Sequence, residues 1–305
     1  MNSNQTFTGK IYRHASLVLM SLFIIVPIAA KPTIIVGARE FTEQIILSEM
    51  TAQYLEEKGF KVDEDRGLLG ELPHTAIINQ EIDIMWEYTG TAYEYIFDEP
   101  YNGEKAETIY SKVKAEDAKS NVVWLNPSAV NNTYAFAMNK NFAREKGIVT
   151  IDDMAQYQRS IGGLKLATEE YFYKQEDGLT AFENEYDFKF DRKYVDRIEL
   201  GQIYQRLADG EFDVGLVYST DGGIIKHDFL ILRETRNFFP PYYITPLIRQ
   251  EVLDQHPELA GYLNELAAIL DTEVMTKLNS RVDIDKVYIW EVVEEFLIKQ
   301  EMLEQ

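Results

Sequence analysis

The chain has no cysteine among its 305 residues, which excludes thiol catalysis, a disulfide framework and a cysteine-linked lipid anchor. Histidine is almost as scarce. Of the four, His14 lies in the N-terminal segment, and His74, His227 and His256 stand at no metal-ligand spacing to one another. Bases are few beside acids, with 30 Lys plus Arg against 51 Asp plus Glu, and they form no long block. So acidic a chain repels nucleic acid and anionic lipid, and neither is an expected partner. The acid excess has two readings: a solvated surface, or a long-range field that favours cationic ligands. Neither common glycine-rich phosphate loop is present, and acidic pairs that could mimic a hydrolase dyad follow from the composition alone. No enzyme, no cofactor and no metal site is expected, and the chain shows no low-complexity segment or solenoid period.

The N-terminus carries Lys10 and Arg13, then an apolar run from about Leu17 to Ala30 broken by Pro27 and ending in Ala29-Ala30. A basic start, a run too short to span a membrane comfortably and small residues at its end form a cleavable secretory signal, expected to be cut after Ala30. An uncleaved membrane anchor is the alternative. Of the 30 bases, two lie in this leader with no acid, so 28 face 51 acids beyond it, a net of −23. A soluble periplasmic protein is expected.

The remaining length of about 275 residues is near the size at which one core divides into two. The chain also repeats itself. Glu81 to Thr91 reads EIDIMWEYTGT, and Glu211 to Gly222 reads EFDVGLVYSTDG. Each copy has Glu, an apolar residue and Asp leading into a short apolar run. A Tyr stands seven residues after the Glu, at Tyr88 and Tyr218, and a small hydroxyl residue follows, Thr89 or Ser219. Either copy alone is an ordinary buried strand, but the repetition at equal spacing implies two matched lobes. In open, mostly parallel α/β sheets the ligand crevice lies outside the carboxyl ends of the strands, which places Tyr88 and Tyr218 at facing rims.

The elements around these copies agree. Thr33 to Gly37 reads as a strand. Thr42 to Lys58 reads as a helix with Ile46, Met50 and Tyr54 on one face and Gly59 as its stop. Phe60 to Glu64 is a second strand, Pro73 to Asn79 a short helix, and the first copy the third strand: βαβαβ, a mainly parallel sheet. A strand from Tyr134 onward, within Val122 to Met138, is the first crossing between lobes. The plan then recurs, with Gly163 to Thr168 as strand, Gly178 to Tyr186 as helix, Val195 to Leu200 as strand, Ile203 to Ala208 as helix, and the second copy as strand. Phe229 to Leu232 and Asn237 to Ile248 return the chain. From Pro257 the pattern is helical, with Leu259, Tyr262, Leu263, Leu266 and Leu270 on one face and Val292, Val293, Phe296 and Leu297 near the end.

Four tyrosines then sit at strand ends or crossings: Tyr88, Tyr134, Tyr218 and Tyr242. The last follows Pro240-Pro241, whose fixed φ and missing amide donors could present a ring rigidly; a plain apolar turn is the other reading, with Tyr243 as the other candidate ring. Aromatic faces attract cations through their quadrupole, and a cage of rings suits quaternary ammonium groups, which cannot donate hydrogen bonds. Four rings at about 1–2 kcal/mol each supply roughly 4–8 kcal/mol, against about 8 kcal/mol for micromolar affinity, so other contacts must help. Asn132, near Tyr134, is either a polar contact or a turn residue.

The motifs VGAREFTEQ (Val36 to Gln44), EIDIMWEYTGT, WLNPSAVNNTYAFAM, Asp177-Gly178, VYSTDG (Val217 to Gly222) and FFPPYY followed by Pro246 occur in this order. On these the chain resembles the substrate-binding proteins of ABC importers for glycine betaine, choline, carnitine and related osmoprotectants, from about Ile34 to the C-terminus. The resemblance implies a two-lobed, type II periplasmic binding protein fold. Each lobe would be a mixed, mainly parallel sheet flanked by helices, and two crossing segments would join lobes that close by hinge motion. The expected layout is a signal at 1–30, one lobe from 31–135 with 237–305, and the other from 136–236. It also implies a monomer that passes its ligand to an ABC permease with its ATPase. Carried over, the cage falls on Tyr88, Tyr134, Tyr218 and Tyr242, and a ligand carboxylate would be held by Arg39 and Thr91. Where betaine binders carry an Arg before the Asp-Gly turn, this chain has Gln175 beside Lys174. A carboxylate in a closed cleft calls for charge-assisted donors, so Gln175 suits choline while Arg39 argues for betaine or carnitine. A receptor subunit for a membrane sensor and a binder of cationic amino acids are the alternatives, the latter requiring carboxylates facing an amine instead of four rings.

Overall fold

The computed structural model describes residues 1–2 and 33–304. The expected signal segment lies, but for its first two residues, outside them. Contacts divide the chain into Met1–Lys31 and Pro32–Gln305, and the described strands and helices all belong to the second of these units.

Ten strands form two five-stranded sheets. The first holds β1 (Thr33–Arg39), β2 (Lys61–Leu68), β3 (Ile84–Tyr88), β4 (Val122–Trp124) and β10 (Ile244–Arg249), in the order β2-β1-β3-β10-β4. The second holds β5 (Tyr134–Asn139), β6 (Leu166–Thr168), β7 (Val195–Arg197), β8 (Val214–Tyr218) and β9 (Phe229–Ile231), in the order β7-β6-β8-β5-β9. The two orders are one pattern. In each sheet three strands run parallel, and the fourth position is taken antiparallel by the strand that arrives from the other sheet, β10 or β5. The last strand before each crossing, β4 or β9, pairs antiparallel with that newcomer. The two copies of the repeated stretch, β3 and β8, hold equivalent central positions.

Both faces of both sheets are covered, as strands with crossover helices require. In the first sheet Ile84, Trp86, Ile244 and Ile248 join one cluster and Met85 and Leu247 the other, the period-two alternation of a pleated strand. In the second, Phe136, Met138, Val214 and Leu216 lie on one side, and Ala135, Ala137 and Val217 on the opposite side. The helix Thr42–Glu57 buries Ile46, Met50 and Tyr54 against the first sheet, where the C-terminal helices Glu258–Ala268, Thr272–Asp283 and Ile289–Lys299 also pack. The helix Thr272–Asp283 touches the second-sheet segment after β8 as well. There a Cβ on Gly222 would lie 2.5 Å from the Ser280 Cα, so only a glycine allows the approach.

Some segments differ from the sequence reading. The strand expected from Gly163 is confined to Leu166–Thr168, because Gly162 and Gly163 take left-handed φ of 75° and 84° and form a turn. The strand from Val195 stops at Arg197, and a helix runs from Leu200 to Ala208. The stretch Val122 to Met138 contains two strands, one for each sheet, and β5 takes Tyr134 and Ala135 into the second. Trp86 and Trp124 are buried in the first sheet, bonded to Thr51 and Asp117.

Candidate functional site

The carboxyl ends of β1, β3, β6 and β8 and the segments leading into β5 and β10 border a cavity of about 600 Å³. Tyr88, Tyr134, Tyr218 and Tyr242 all line it, with Thr91 and Asn132. Tyr88 and Tyr218 close β3 and β8; Tyr134 opens β5 directly opposite Tyr218 in the ladder. The Tyr134 and Tyr218 rings stack with centroids 4.8 Å apart. A cation between two faces, up to ~6 Å from each centroid, needs more room than that, so this pair presents outer faces and edges.

The hydroxyl residue after each repeated Tyr explains how these rings are fixed. The Thr89 Oγ1 accepts from the Tyr243 amide (3.0 Å) and donates to the Pro241 carbonyl (3.0 Å). The Ser219 Oγ accepts from the Thr133 amide (3.0 Å) and donates to the Asn131 carbonyl (2.7 Å). In both sheets, then, the hydroxyl clasps the segment that enters the next strand. Tyr242 gains a further tie, its amide donating to Asn131 Oδ1 at 2.7 Å. Its ring lies on Gly90, where a Cβ would come 2.7 Å from the ring carbons. Gly90→Ala is therefore expected to displace this ring and weaken ligand binding about tenfold, roughly one ring's contribution, with little change in melting temperature; titration and thermal unfolding of the variant check it.

Each tyrosine hydroxyl meets a carboxylate. Tyr88 donates to Glu43 (2.7 Å), Tyr134 to Glu169 (2.8 Å), Tyr218 to Glu169 (3.4 Å) and Tyr242 to Glu94 (2.6 Å). Burial raises the pKa of all four phenols, and nearby ionisable groups raise them further: Glu43 for Tyr88, the partner tyrosine and Glu169 for Tyr134, Glu169 for Tyr218, and Glu94 for Tyr242. The rings stay neutral, the protons of Tyr88, Tyr134 and Tyr242 directed at carboxylates and that of Tyr218 shared between Glu169 and the nearer Tyr134 hydroxyl at 3.2 Å. Burial and then the neighbouring Asp177 also raise the Glu94 carboxyl, against the lowering pull of the Tyr242 hydroxyl.

Burial pushes Asp221, another cavity residue, up to about 6. Its bonds from the Tyr204 hydroxyl and the Tyr218 amide oppose the rise, while Glu43 and Asp283 add to it. With the folded pKa above the ordinary 3.8, the folded state holds the proton more tightly between these values, and stability falls as pH rises from about 4 to 6. Asp221→Asn should thus stabilise the protein at pH 7.5 by about 1–3 kcal/mol, the gain vanishing near pH 4. Denaturant unfolding of both proteins across pH 4–8 tests this.

The other sequence candidates lie elsewhere. Gln175 lines an adjoining cavity of about 680 Å³ that shares Tyr95, Tyr134 and Tyr242 with the first. Arg39 is not among the residues lining either. Its guanidinium is buried, bonded to Glu87 at 2.6 Å and to the Gly70 carbonyl at 2.8 Å. Tyr243, the alternative to Tyr242, is also absent from the lining.

Sequence reading missed Glu43, Tyr95, Glu169, Asp221, Asn279 and Asp283. One was within reach: the strand-end rule that singled out Tyr88 and Tyr218, applied to β6, leads to Glu169, whereas β1 ends at Arg39 and Glu43 lies beyond it in the helix Thr42–Glu57. Glu94 and Tyr95 depend on the π-helical turn Ala92–Ile96, a geometry often found at functional sites but without a sequence signature.

The family described as "Substrate binding domain of ABC-type glycine betaine transport system" matches residues 32–299. The chain belongs to this family. It is accordingly a transport substrate-binding protein and not an enzyme. It is 33% identical over 305 residues to the glycine-betaine-binding protein of Pseudomonas aeruginosa, covering 97% of this chain and 96% of that one. The carnitine transport binding protein OpuCC of Listeria monocytogenes is 30% identical over 280 residues, covering 90% and 89%. Among solved structures, a glycine betaine/carnitine/choline ABC transporter superposes with a TM-score of 0.84 at 28% identity, over 90% of this chain and 100% of that one. The two mixed sheets are thus those of a two-lobed periplasmic binding protein, as expected. Among the described residues no helix is long and apolar enough to cross a membrane.

Proposed function

We propose that the cavity captures a quaternary ammonium compound and that the protein delivers it to an ABC permease with its ATPase. The observation that carries this reading is the convergence of Tyr88, Tyr134, Tyr218 and Tyr242, drawn from both sheets, on one cavity with carboxylates within hydrogen-bond distance of their hydroxyls. Neutral rings backed by negative groups attract a cation that cannot itself donate a hydrogen bond. Thr91 and Asn132 supply polar contacts, and Gln175 borders the ligand from the adjoining cavity. The names of the relatives, glycine betaine and carnitine binders, support the same class. In this reading the closing lobes are those expected at 31–135 with 237–305 and at 136–236, with the first boundary set before Tyr134 so that β5 stays whole; the chain acts as a monomer, and the leader to Ala30 directs it to the periplasm. A calorimetric titration of the protein with choline and with glycine betaine tests it. Saturable heat from at least one is expected; heat from neither, nor from carnitine, would overturn the reading.

A further inference from the structure

Three aromatic residues of the cavity lining stay exposed: Phe41, Tyr95 and Tyr171, at 40%, 43% and 49%. Rings that line a cavity and still face solvent mark its mouth. Phe41 leans on Tyr88, with ring centroids 6.3 Å apart. Tyr95 and Tyr171 meet each other instead, the Tyr171 hydroxyl donating to the Tyr95 hydroxyl at 3.5 Å. Burial, and after it Tyr171, raises the Tyr95 phenol, so its oxygen stays a neutral acceptor. At 3.5 Å the bond is at the long end of the range, strong enough to favour a contact and too weak to lock it.

The two residues come from opposite sides of the cavity. Tyr95 lies in the π-helical turn Ala92–Ile96 beyond β3 of the first sheet, and Tyr171 in the short helix Glu170–Lys174 beyond β6 of the second. Each stands beside a carboxylate that holds a cavity ring. Glu94, which accepts from Tyr242, directly precedes Tyr95, and Glu169, which accepts from Tyr134 and Tyr218, lies two residues before Tyr171. A cation drawn to those rings therefore bears on the same two turns that carry Tyr95 and Tyr171. Other bonds between the two halves end on the crossing segments: Ser219 Oγ donates to the Asn131 carbonyl at 2.7 Å, and the Tyr101 hydroxyl to the Asn237 carbonyl at 3.0 Å. Bonds to those segments can survive a rotation about them, whereas a bond from one body to the other must break when the bodies part.

We propose that Tyr95 and Tyr171 form a latch across the mouth of the cavity, joining the two lobes over a bound cation and setting how long it stays. The proposal rests on the ammonium reading of the cavity and adds two residues that act on release. Affinity differences between related complexes lie mostly in dissociation, and the opening of a closed site is in many proteins the slow step. A latch of this kind acts on any cation the rings accept, because it grips the opposite lobe and not the ligand.

The test uses the N-methyl proton resonance of choline, glycine betaine or carnitine, whichever the parent binds. Exchange broadening of that resonance gives the dissociation rate, and calorimetry gives the equilibrium constant. Tyr95→Ala and Tyr171→Ala should each raise the dissociation rate about tenfold or more, with the association rate within about threefold of the parent's. The double variant should be no more than about twofold faster than the faster single one, since a latch with one half removed is already open; two rings that touched the ligand independently would multiply to about a hundredfold. Tyr171→Phe, which keeps the ring and removes the donated proton, should release ligand about threefold faster. Dissociation within twofold of the parent's in both alanine variants, effects that multiply in the double variant, or a loss carried by association would each overturn the latch and leave the ammonium reading in place. A parent that neither broadens the resonance of any of the three compounds nor gives heat with them would overturn both. Should an alanine variant fail to fold, Tyr171→Phe still decides, an unchanged dissociation rate counting against the latch.

Discussion

Replacing Tyr134 and Tyr218 together by leucine is expected to weaken ligand binding by roughly 10²–10³-fold, since each desolvated ring contributes up to about 2 kcal/mol and each 1.4 kcal/mol is tenfold. Leucine keeps apolar volume at both positions but has no quadrupole. The pair is the right target because the two residues face each other in the β5–β8 ladder, stack at 4.8 Å and share Glu169. That shared partner makes the single variants non-additive. Tyr134→Phe/Tyr218→Phe, which keeps both faces and removes only the hydroxyls, should lose far less. Calorimetry on all variants, with Glu169→Gln as control for the carboxylate left behind, gives the comparison. A leucine double variant that binds within threefold of the parent would falsify the cage.

The largest effect on stability is expected from Arg39→Met, a loss of about 3–5 kcal/mol. The Glu87 side chain is 0% exposed, and its other oxygen accepts from the Tyr88 amide at 2.8 Å. Removing the guanidinium leaves a carboxylate sealed in the first sheet without its counter-charge. Burial works against the charge on Arg39, yet the pull of Glu87 outweighs it and the pKa of Arg39 is raised, so the guanidinium keeps its charge. Replacing both partners by apolar residues of similar size should recover most of the loss. Denaturant unfolding measures both, and choline titration of Arg39→Met separates the roles. An affinity within a few-fold of the parent's fits a residue that supports β3 from behind the cavity wall; a collapse of betaine binding in a still-folded variant would mark it as a ligand contact.

The parts of this architecture that repeat were legible in the sequence. The paired stretches at Glu81 and Glu211 do occupy equivalent strands, and the helix stripe Ile46, Met50, Tyr54 is buried where its spacing put it. Period and repetition report on what each element packs against, and that information is local. Pairing between polar side chains is not local. Arg39 could not be seen to meet Glu87 across 48 residues, nor Glu43 to meet Asn279 across 236, because a side chain's partner depends on strand order. Short elements escaped for another reason. The helix Ile151–Ser160 carries a Thr150/Asp153 capping box, a recognisable start, but β4 has three residues, too few for any period to emerge.

The exchange of strands between the sheets also has a consequence for how the chain acquires its structure. Residues 134–231 contain every strand of the second sheet, so that sheet can be completed from one continuous segment. The first cannot: β10 must insert between β3 and β4, and until residues 244–249 arrive those two strands have no bridge between them. Pairings so distant in sequence form late, since loop closure must precede the contacts that reward it. Amides of β5 and β8 should gain protection from hydrogen exchange before those of β3 and β4 during refolding, and a chain ending before residue 244 should hold an ordered second sheet beside an open first one.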